Sequence, residues 1–142
     1  MMGHRIQIQD APETLAPEAL RNGMDIEGCG SIVSFLGITR GNENGVEVKH
    51  LEFDAWMEKL PSVLHNLATQ AIDDFGVHSV AMSHRTGVVM PGEDIVCIHV
   101  ASPHRKEGFA ACTWLIDELK AQAPLWKKEV RADGVQWKEG LG

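Results

Sequence analysis

Apolar residues recur along this chain with two periods, one typical of helices and one typical of strands. Between residues 60 and 75 they return every three or four positions and Gly76 follows as a stop signal, which predicts a helix over Pro61–Phe75. A second long helix is predicted from Ser102 to about Ala123, and a short one over Pro17–Gly23. Both long helices have one apolar face, so we expect them to pack on a common core.

Alternating or continuous apolar runs predict the strands, with a flexible loop at Gly37–Gly45. The predicted strands are Arg5–Gln9, Gly30–Leu36, Val46–Phe53, Val77–His84, Asp94–Ala101, Lys127–Val130 and Gly134–Trp137. Strands and helices mix without regular βαβ repetition, which favours an α+β fold with a mostly antiparallel sheet and two long helices. With 44% apolar residues, we expect residues 1–142 to form a single domain.

Charge and cysteine content narrow the functional classes. The net charge of -7 argues against nucleic-acid binding but leaves room for a local cationic pocket. The three cysteines are widely spaced and odd in number, which indicates reduced thiols in a cytoplasmic protein. No apolar run approaches the roughly 20 residues of a membrane span. The histidines lack the spacing of metal ligands, so we expect neither a metal nor a cofactor.

The segment Lys120–Glu129 is the strongest candidate for chemistry. It reads KAQAPLWKKE, with three lysines around one proline. Pro124 cannot continue a helix, so Lys120 should close the second long helix and Lys127 should begin an extended segment. A sharp turn between them can bring both lysines to one pocket. Two clustered ammonium groups lower each other's pKa, which makes an amine a better nucleophile or proton carrier.

Two further residues of this segment are candidates for the pocket. We expect Trp126 to form a wall beside the lysines. Glu129 lies two residues after Lys127, which places both on one face of a strand. Its carboxylate could hold the ammonium or shuttle protons. The alternative is an ordinary surface ion pair.

A candidate anion site begins the second long helix. Ser102 is expected as N-cap and Pro103 as first helical residue, so His104 and Arg105 lie in the first turn, where backbone N–H groups favour an anion. The alternative is a solvated cap with a surface arginine. Arg40, in the glycine-rich loop, is a further candidate, although isolated loop arginines are usually solvated. The pair His84-Arg85 is interpreted as structural, because it flanks the turn at Gly87.

Several blocks in a fixed order resemble the MoaE family, the large catalytic subunits of molybdopterin synthase. The similarity covers roughly Gly30 to Trp137. The blocks are SFLGITR from Ser34, LEFDAWM from Leu51, HRTG from His84, PGE from Pro91, His104-Arg105 with Phe109-Ala110, Lys120–Glu129, and Trp137.

The resemblance implies an α/β hammerhead-type fold and a homodimer within a heterotetramer. It also implies a small, ubiquitin-like, MoaD-like partner whose Gly-Gly tail carries a C-terminal thiocarboxylate. The activity implied is sulfur transfer, in two rounds, to cyclic pyranopterin monophosphate. The product is the dithiolene of molybdopterin, in molybdenum cofactor biosynthesis.

Carried over residue by residue, the family's essential lysines fall on Lys120 and Lys127. Its anion-binding and pocket positions fall on Arg40, His104, Arg105, Phe35 and Glu129. The hypothesis is that Lys127 acts closest to the reacting carbon and Lys120 steers the partner's tail, although the roles could be reversed. The chain departs from the family at Phe53–Trp56, where tyrosines and a glutamate are common, and in its short segment after Trp137.

Two other classes of function fit the same residues. A non-catalytic adaptor would bind a ubiquitin-like Gly-Gly tail in the same groove, and a small oligomeric domain could bind an anion for another purpose. The presence of two lysines together with a separate anion site favours catalysis, because binding a tail requires neither the pair nor the second site.

Overall fold

Two β-sheets and three helices make up the part of the chain that the structure, a computed structural model, describes, residues 5–138. The strands are β1 (Ile6–Ala11), β2 (Ser31–Ile38), β3 (Asn42–Glu43), β4 (Val46–Ala55), β5 (Ser79–Arg85), β6 (Gly87–Val89), β7 (Asp94–Ser102), β8 (Leu125–Arg131) and β9 (Gly134–Lys138). The helices are α1 (Pro17–Asn22), α2 (Leu60–Phe75) and α3 (Arg105–Gln122).

The first sheet has four strands in the order β1-β5-β7-β2. Its outer pair β1–β5 is parallel, whereas β5–β7 and β2–β7 are antiparallel. β5 is buried along its whole length because both faces of the sheet are covered there. α2 and α3 pack against each other and against one face, and α1 inserts Leu20 on the other.

The second sheet has the order β3-β4-β8-β9, and β6 pairs with residues 51–53 of β4. All of these pairs are antiparallel. The tight turn between β3 and β4 is formed by Asn44 and Gly45, which have φ angles of 52° and 85°. An Asn-Gly pair suits this turn because both central residues need positive φ. The prediction of a mixed α+β fold with mostly antiparallel strands is confirmed.

One core joins both sheets to the long helices. It contains Leu64 and Ala68 of α2, Leu115 of α3, Met82 of β5 and Phe53 of β4. The predicted end of α2 is confirmed, since Gly76 adopts the left-handed conformation with φ of 71°. No helix in residues 5–138 is long and apolar enough to cross a membrane.

The start of α3 differs from the prediction. Ser102 is not the N-cap; it is the fully buried last residue of β7 and pairs with Ser31 of β2. The backbone stays extended through His104, which caps the helix at φ -129° and ψ 145°, and Arg105 is the first helical residue. Sheet pairing therefore overrides the capping preference of the serine. The loop predicted at Gly37–Gly45 is likewise shorter, because β2 continues to Ile38.

Candidate functional site

A cavity of about 440 Å³ opens between the two sheets, beside the last turns of α3. Most of its walls are apolar, and they come from β2, β4, β7 and α3. The apolar lining consists of Phe35, Leu36, Ile38, Phe53, Ile95, Val96, Ile98, Ile116 and Leu119, with Gly37 among them. Its remaining lining residues are Arg40, His84, Lys120 and Lys127. An enclosed apolar cavity with a few polar groups is the usual form of a small-molecule site.

Three cations face this cavity although the chain is acidic. Arg40, Lys120 and Lys127 line it, and none of the described lining residues carries a carboxylate. The structure thus brings together the two lysines, Arg40 and Phe35, four of the residues proposed from the sequence. A cation-rich cavity with apolar walls is suited to a substrate that is part apolar ring and part anion.

The surroundings of Lys127 change the acidity of its ammonium. It is half-buried on β8, and its backbone pairs with that of Phe53 across the β4–β8 ladder. Burial lowers the pKa of Lys127 below its ordinary value, the positive charges of Lys138 and then Lys120 contribute further in that direction, and the negative charge of Glu129 opposes them. The sequence led us to expect mutual repulsion of the lysines as the main cause, but burial is the larger one.

Lys120 reaches the same cavity from α3. It lies in the last turn of the helix, which ends where Ala123 adopts an extended conformation (φ -63°, ψ 132°) before Pro124. This is the break predicted from the proline, and it reverses the chain so that β8 begins at Leu125. Lys120 is solvent-exposed, so its ammonium stands at the mouth of the cavity whereas Lys127 lies further inside.

Glu129 and Trp126 stand outside the lining. Glu129 shares the inner face of β8 with Lys127, as predicted, but it is buried and forms an ion pair with Arg131 at 2.9 Å. It acts on Lys127 through its charge, raising the pKa of that lysine. Trp126 does not form a wall of the cavity; side chains alternate along β8, so its ring is on the opposite face from Lys127 and is 48% exposed.

Arg40 follows the end of β2 and extends into solvent. Its guanidinium forms an ion pair with Glu43 at 3.1 Å, and the arginine side chain is 76% exposed. An exposed pair of this kind is weakly held, so the guanidinium can exchange Glu43 for a ligand at small cost. Arg40 is therefore a mobile cation at the rim.

The predicted anion site at the start of α3 lies apart from this cavity in one chain. His104 and Arg105 line an open cleft with Gly30, Lys106 and Phe109. Arg105 begins α3, and Lys120 lies in its last turn, fifteen positions later. At about 1.5 Å of rise per residue, the two ends are separated by about 22 Å. The expectation that His104, Arg105 and the lysines form one site is not met within a single chain.

His84 is the lining residue that the sequence interpretation assigned to structure alone. It lies at the end of β5, is 4% exposed, and lines the cavity. Burial lowers its pKa to about 4. The signal that could have identified it is the strand period: Val80, Met82 and His84 share one face, so a histidine continues a row of core residues.

No group of three His, Cys, Asp or Glu side chains within residues 5–138 is arranged to hold a metal ion. All three cysteines are free thiols, and burial raises the pKa of Cys97 to about 12 and that of Cys112 to about 11. These thiols are therefore poor nucleophiles. The side chains in the cavity that can take part in a reaction are therefore two amines, one guanidinium and one imidazole.

Comparison with known proteins shows the family of this chain. The sequence matches the family described as MoaE protein over residues 10–122. A molybdopterin synthase catalytic subunit of Arabidopsis thaliana is 43% identical over 110 residues, covering 78% of this chain and 56% of that protein. This chain thus spans little more than half of the plant protein. One from Pyrococcus abyssi is 32% identical over 136 residues, covering 96% of this chain and 92% of that one.

Solved structures show the same fold. A molybdopterin synthase structure from Staphylococcus aureus superimposes with a TM-score of 0.87 at 28% identity, covering 92% of this chain and 96% of that one. A complex of subunits 1 and 2 of the molybdopterin-converting factor from Helicobacter pylori gives 0.75 at 21% identity, covering 93% and 90%. With the family match spanning most of its length, the chain belongs to the MoaE family.

Proposed function

We propose that this chain is the catalytic subunit of a molybdopterin synthase and that the cavity at the end of α3 is its reaction site. The observation that carries the proposal is the half-buried ammonium of Lys127 in an apolar cavity shared with Lys120 and Arg40. Cyclic pyranopterin monophosphate has both features that this cavity suits, a flat ring system and a phosphate. Apolar walls hold the ring and the cations balance the phosphate.

The chemistry is transfer of sulfur from an acyl group to carbon. The thiocarboxylate sulfur forms a bond to a carbon of the precursor while the bond from that carbon to an oxygen breaks, and the departing oxygen takes up a proton. Water then hydrolyses the acyl–sulfur bond, which leaves the tail as a carboxylate and the sulfur on the precursor as a thiol. A second round with a fresh tail supplies the second sulfur of the dithiolene. Each round develops negative charge on oxygen and sulfur, which a nearby ammonium stabilises most strongly in a low-dielectric cavity.

The two lysines have different parts in this scheme. Lys127 lies further inside, so we assign it to the reacting carbon and to the proton transfers that accompany sulfur addition. A pKa lowered by burial suits it for those transfers. Lys120 is exposed at the mouth, where its charge can attract the anionic tail of the partner.

The partner in this proposal is a small, ubiquitin-like, MoaD-like subunit. Its Gly-Gly tail is narrow enough to enter a cavity between two sheets, because glycines lack side chains. The complex of two subunits known from Helicobacter pylori, which shares this fold, supports an assembly of this type. The unpaired thiols of this chain agree with a reaction in the cytoplasm.

A second copy of the chain completes the site. Within one chain, His104 and Arg105 lie about 22 Å along α3 from the lysines, too far to share one small ligand. We therefore propose that the start of α3 in one subunit of a homodimer faces the cavity of the other, within a heterotetramer. Exposed apolar residues accompany both regions, Phe109 beside Arg105 and Ile38 at the cavity, each 60% exposed.

Reconstitution tests this proposal. The purified chain is mixed with a thiocarboxylated small subunit and the cyclic precursor, and the product is identified by mass. We expect a pterin carrying two sulfurs and a small subunit that ends in a carboxylate. Binding of the small subunit without any sulfur-containing product would contradict the enzyme and favour an adaptor that only binds the tail.

A further inference from the structure

His84 occupies a position where the fold calls for an apolar side chain. It follows Val80 and Met82 on the core face of β5, and those two residues are 1% and 0% exposed. At 4% exposure the imidazole is removed from bulk water as well. Burying a polar ring in such a row costs free energy unless its nitrogens find partners. The hydrogen bonds made by the two ring nitrogens therefore indicate whether either nitrogen is left to bind a ligand.

One nitrogen of the ring is occupied and the other is open. Nδ1 lies 2.7 Å from the backbone oxygen of Arg85. A carbonyl oxygen can only accept, so Nδ1 carries the proton and Nε2 keeps a lone pair. No residue from 5 to 138 forms a hydrogen bond with Nε2. Burial keeps the pKa near 4, which leaves the ring neutral at pH 7 and preserves this lone pair.

The ring lines the same cavity as the lysine that we assign to the reaction. Its centroid lies 5.1 Å from that of Phe53, and the two rings meet edge to face at 77°. Phe53 pairs in turn with Lys127 across β4 and β8, and all three residues line the cavity. Contact with Phe53 and the bond to the Arg85 carbonyl fix the imidazole at two points, at a place where it lines this cavity and also a small pocket beside Ala11 and Leu60.

His84 supplies what the rest of the cavity lacks. Arg40, Lys120 and Lys127 can only donate hydrogen bonds while charged, and every other lining residue is apolar or glycine. Among the described residues that line the cavity, His84 has the one side-chain hydrogen-bond acceptor. A pterin ring carries N–H groups on its edge, and these would be left unpaired against apolar walls at a considerable cost.

We propose that His84 binds the substrate directly, with Nε2 accepting a hydrogen bond from an N–H group of the pterin ring. This inference rests on the proposed function, and it adds a recognition element for the ring to the cations that recognise phosphate. The role is selective: a phosphorylated molecule without a ring N–H would satisfy the cations but leave Nε2 unpaired.

Two substitutions at His84 test the roles of Nδ1 and Nε2 separately. His84→Asn places an amide N–H near the position of Nδ1, so it keeps the bond to Arg85 and removes the acceptor. His84→Gln places its amide oxygen near the position of Nε2, so it keeps the acceptor and loses that bond. We expect the Asn variant to bind the cyclic precursor about 10-fold more weakly, with a matching rise in KM, and the Gln variant to stay within about 3-fold of wild type.

Calorimetric titration of the chain with the cyclic precursor, in the presence of the small subunit, measures binding without turnover. Thermal unfolding of each variant is followed in parallel. A structural role for His84 predicts the opposite order, with Asn near wild type and Gln impaired, and that result would overturn the inference. Equal affinity in both variants and wild type would overturn it too, as would a wild-type chain that does not bind the precursor.

The titration, combined with the reconstitution assay, keeps this inference apart from the proposed function. If wild type binds the precursor with the expected dependence on His84 but forms no sulfur-containing product, the assignment of His84 stands and the proposed transfer fails. If product forms at the wild-type rate and affinity in the Asn variant, the transfer stands and the assignment of His84 fails.

Discussion

The two ends of α3 carry cations in opposite environments. At its C-terminal end, Lys120 and Lys127 line an apolar cavity, and burial lowers the pKa of Lys127. At its N-terminal end, His104 and Arg105 are exposed in an open cleft. Water therefore screens the exposed guanidinium of Arg105 more than the half-buried ammonium of Lys127.

This difference separates binding from catalysis. An exposed guanidinium at a helix start can hold a phosphate, yet it contributes little to a transition state because water competes for the same charge. A half-buried ammonium costs free energy to keep in the fold, and it stabilises developing negative charge more strongly for the same reason. We therefore expect substitutions at the enclosed end to affect turnover most, and those at the open end to affect substrate affinity.

The largest expected effect is that of Lys127→Ala. Removing the inner ammonium should lower kcat about 1000-fold, because the charge that develops during sulfur transfer loses its nearest counterion. The matched control is Lys128→Ala, one residue along β8 on its opposite face, where Lys128 pairs with Glu52 at 3.3 Å. We expect the control to stay within about 3-fold of wild type. Single-turnover kinetics with thiocarboxylated small subunit measure both, and equal losses would contradict the assignment.

Mixing two variants, one impaired in turnover and one in substrate affinity, tests at a subsaturating precursor concentration whether the ends of α3 meet across a dimer. Lys127→Ala and Arg105→Ala each damage a different end of the helix. If one subunit supplies the lysines and the other supplies Arg105, a mixed dimer contains one intact site. Random exchange of subunits should then restore about a quarter of the wild-type activity.

The control for this experiment is a mixture of Lys127→Ala with Lys120→Ala, two variants of the same end. Both substitutions fall in one cavity, and the mixed dimer has no intact site. It should stay inactive under the same exchange conditions. Recovery in the control, or none with Arg105→Ala, would show that the two ends do not combine across subunits.

The dependence of folding stability on acid pH tests whether His84 stays neutral in the fold. His84 has a folded-state pKa of about 4, below its ordinary value of 6.5. Between pH 6.5 and 4 this imidazole is therefore protonated in the unfolded chain but neutral in the folded chain. The free energy of unfolding falls as the pH drops through this window. This one group accounts for about 3 kcal/mol across that window. His84→Asn should flatten the slope.

Urea unfolding at a series of pH values between 7 and 4 measures these slopes. The free energy of unfolding is compared between wild type and His84→Asn at each pH. An unchanged slope in His84→Asn would mean that the imidazole is readily protonated in the fold. It would also remove the reason to treat Nε2 as a permanent acceptor.

The smallest expected effect is that of Gly37→Ala, at the irregular end of β2. A Cβ there would lie 2.8 Å from Cγ1 of Val96, inside the cavity wall. The overlap should cost about 1–2 kcal/mol of stability and raise KM several-fold, because Val96 must move into the space of the substrate. Gly41→Ala is the control, with Cβ 3.5 Å from Pro91. Chemical denaturation and steady-state kinetics measure both, and equal effects would contradict a tight wall.

Much of the fold follows from local signals in the sequence. The period of the apolar residues predicted α2, and Gly76 and Pro124 marked helix ends that the structure confirms. These signals act through local backbone geometry, so they can be interpreted without a partner strand. The placement of Lys120 and Lys127 in one cavity followed from the same reasoning, since the break at Pro124 turns the chain back on itself.

What the sequence alone could not predict depends on distant neighbours. Ser102 is a good N-cap by composition, but its pairing with Ser31, 71 positions earlier, keeps it in the sheet. The sequence places His84 beside a turn, whereas in the fold its ring contacts Phe53 and lines the cavity. Trp126 is a different case, because strand alternation alone would have set it on the face opposite Lys127.

The most direct test of this account is a crystal structure of the assembled enzyme with bound cyclic precursor. We expect the pterin ring in the cavity at the C-terminal end of α3, with Nε2 of His84 within hydrogen-bond distance of a ring nitrogen and Nζ of Lys127 beside the carbons that receive sulfur. A precursor bound only in the cleft at His104 and Arg105, with the cavity left empty, would contradict the claim that the enclosed end performs the chemistry.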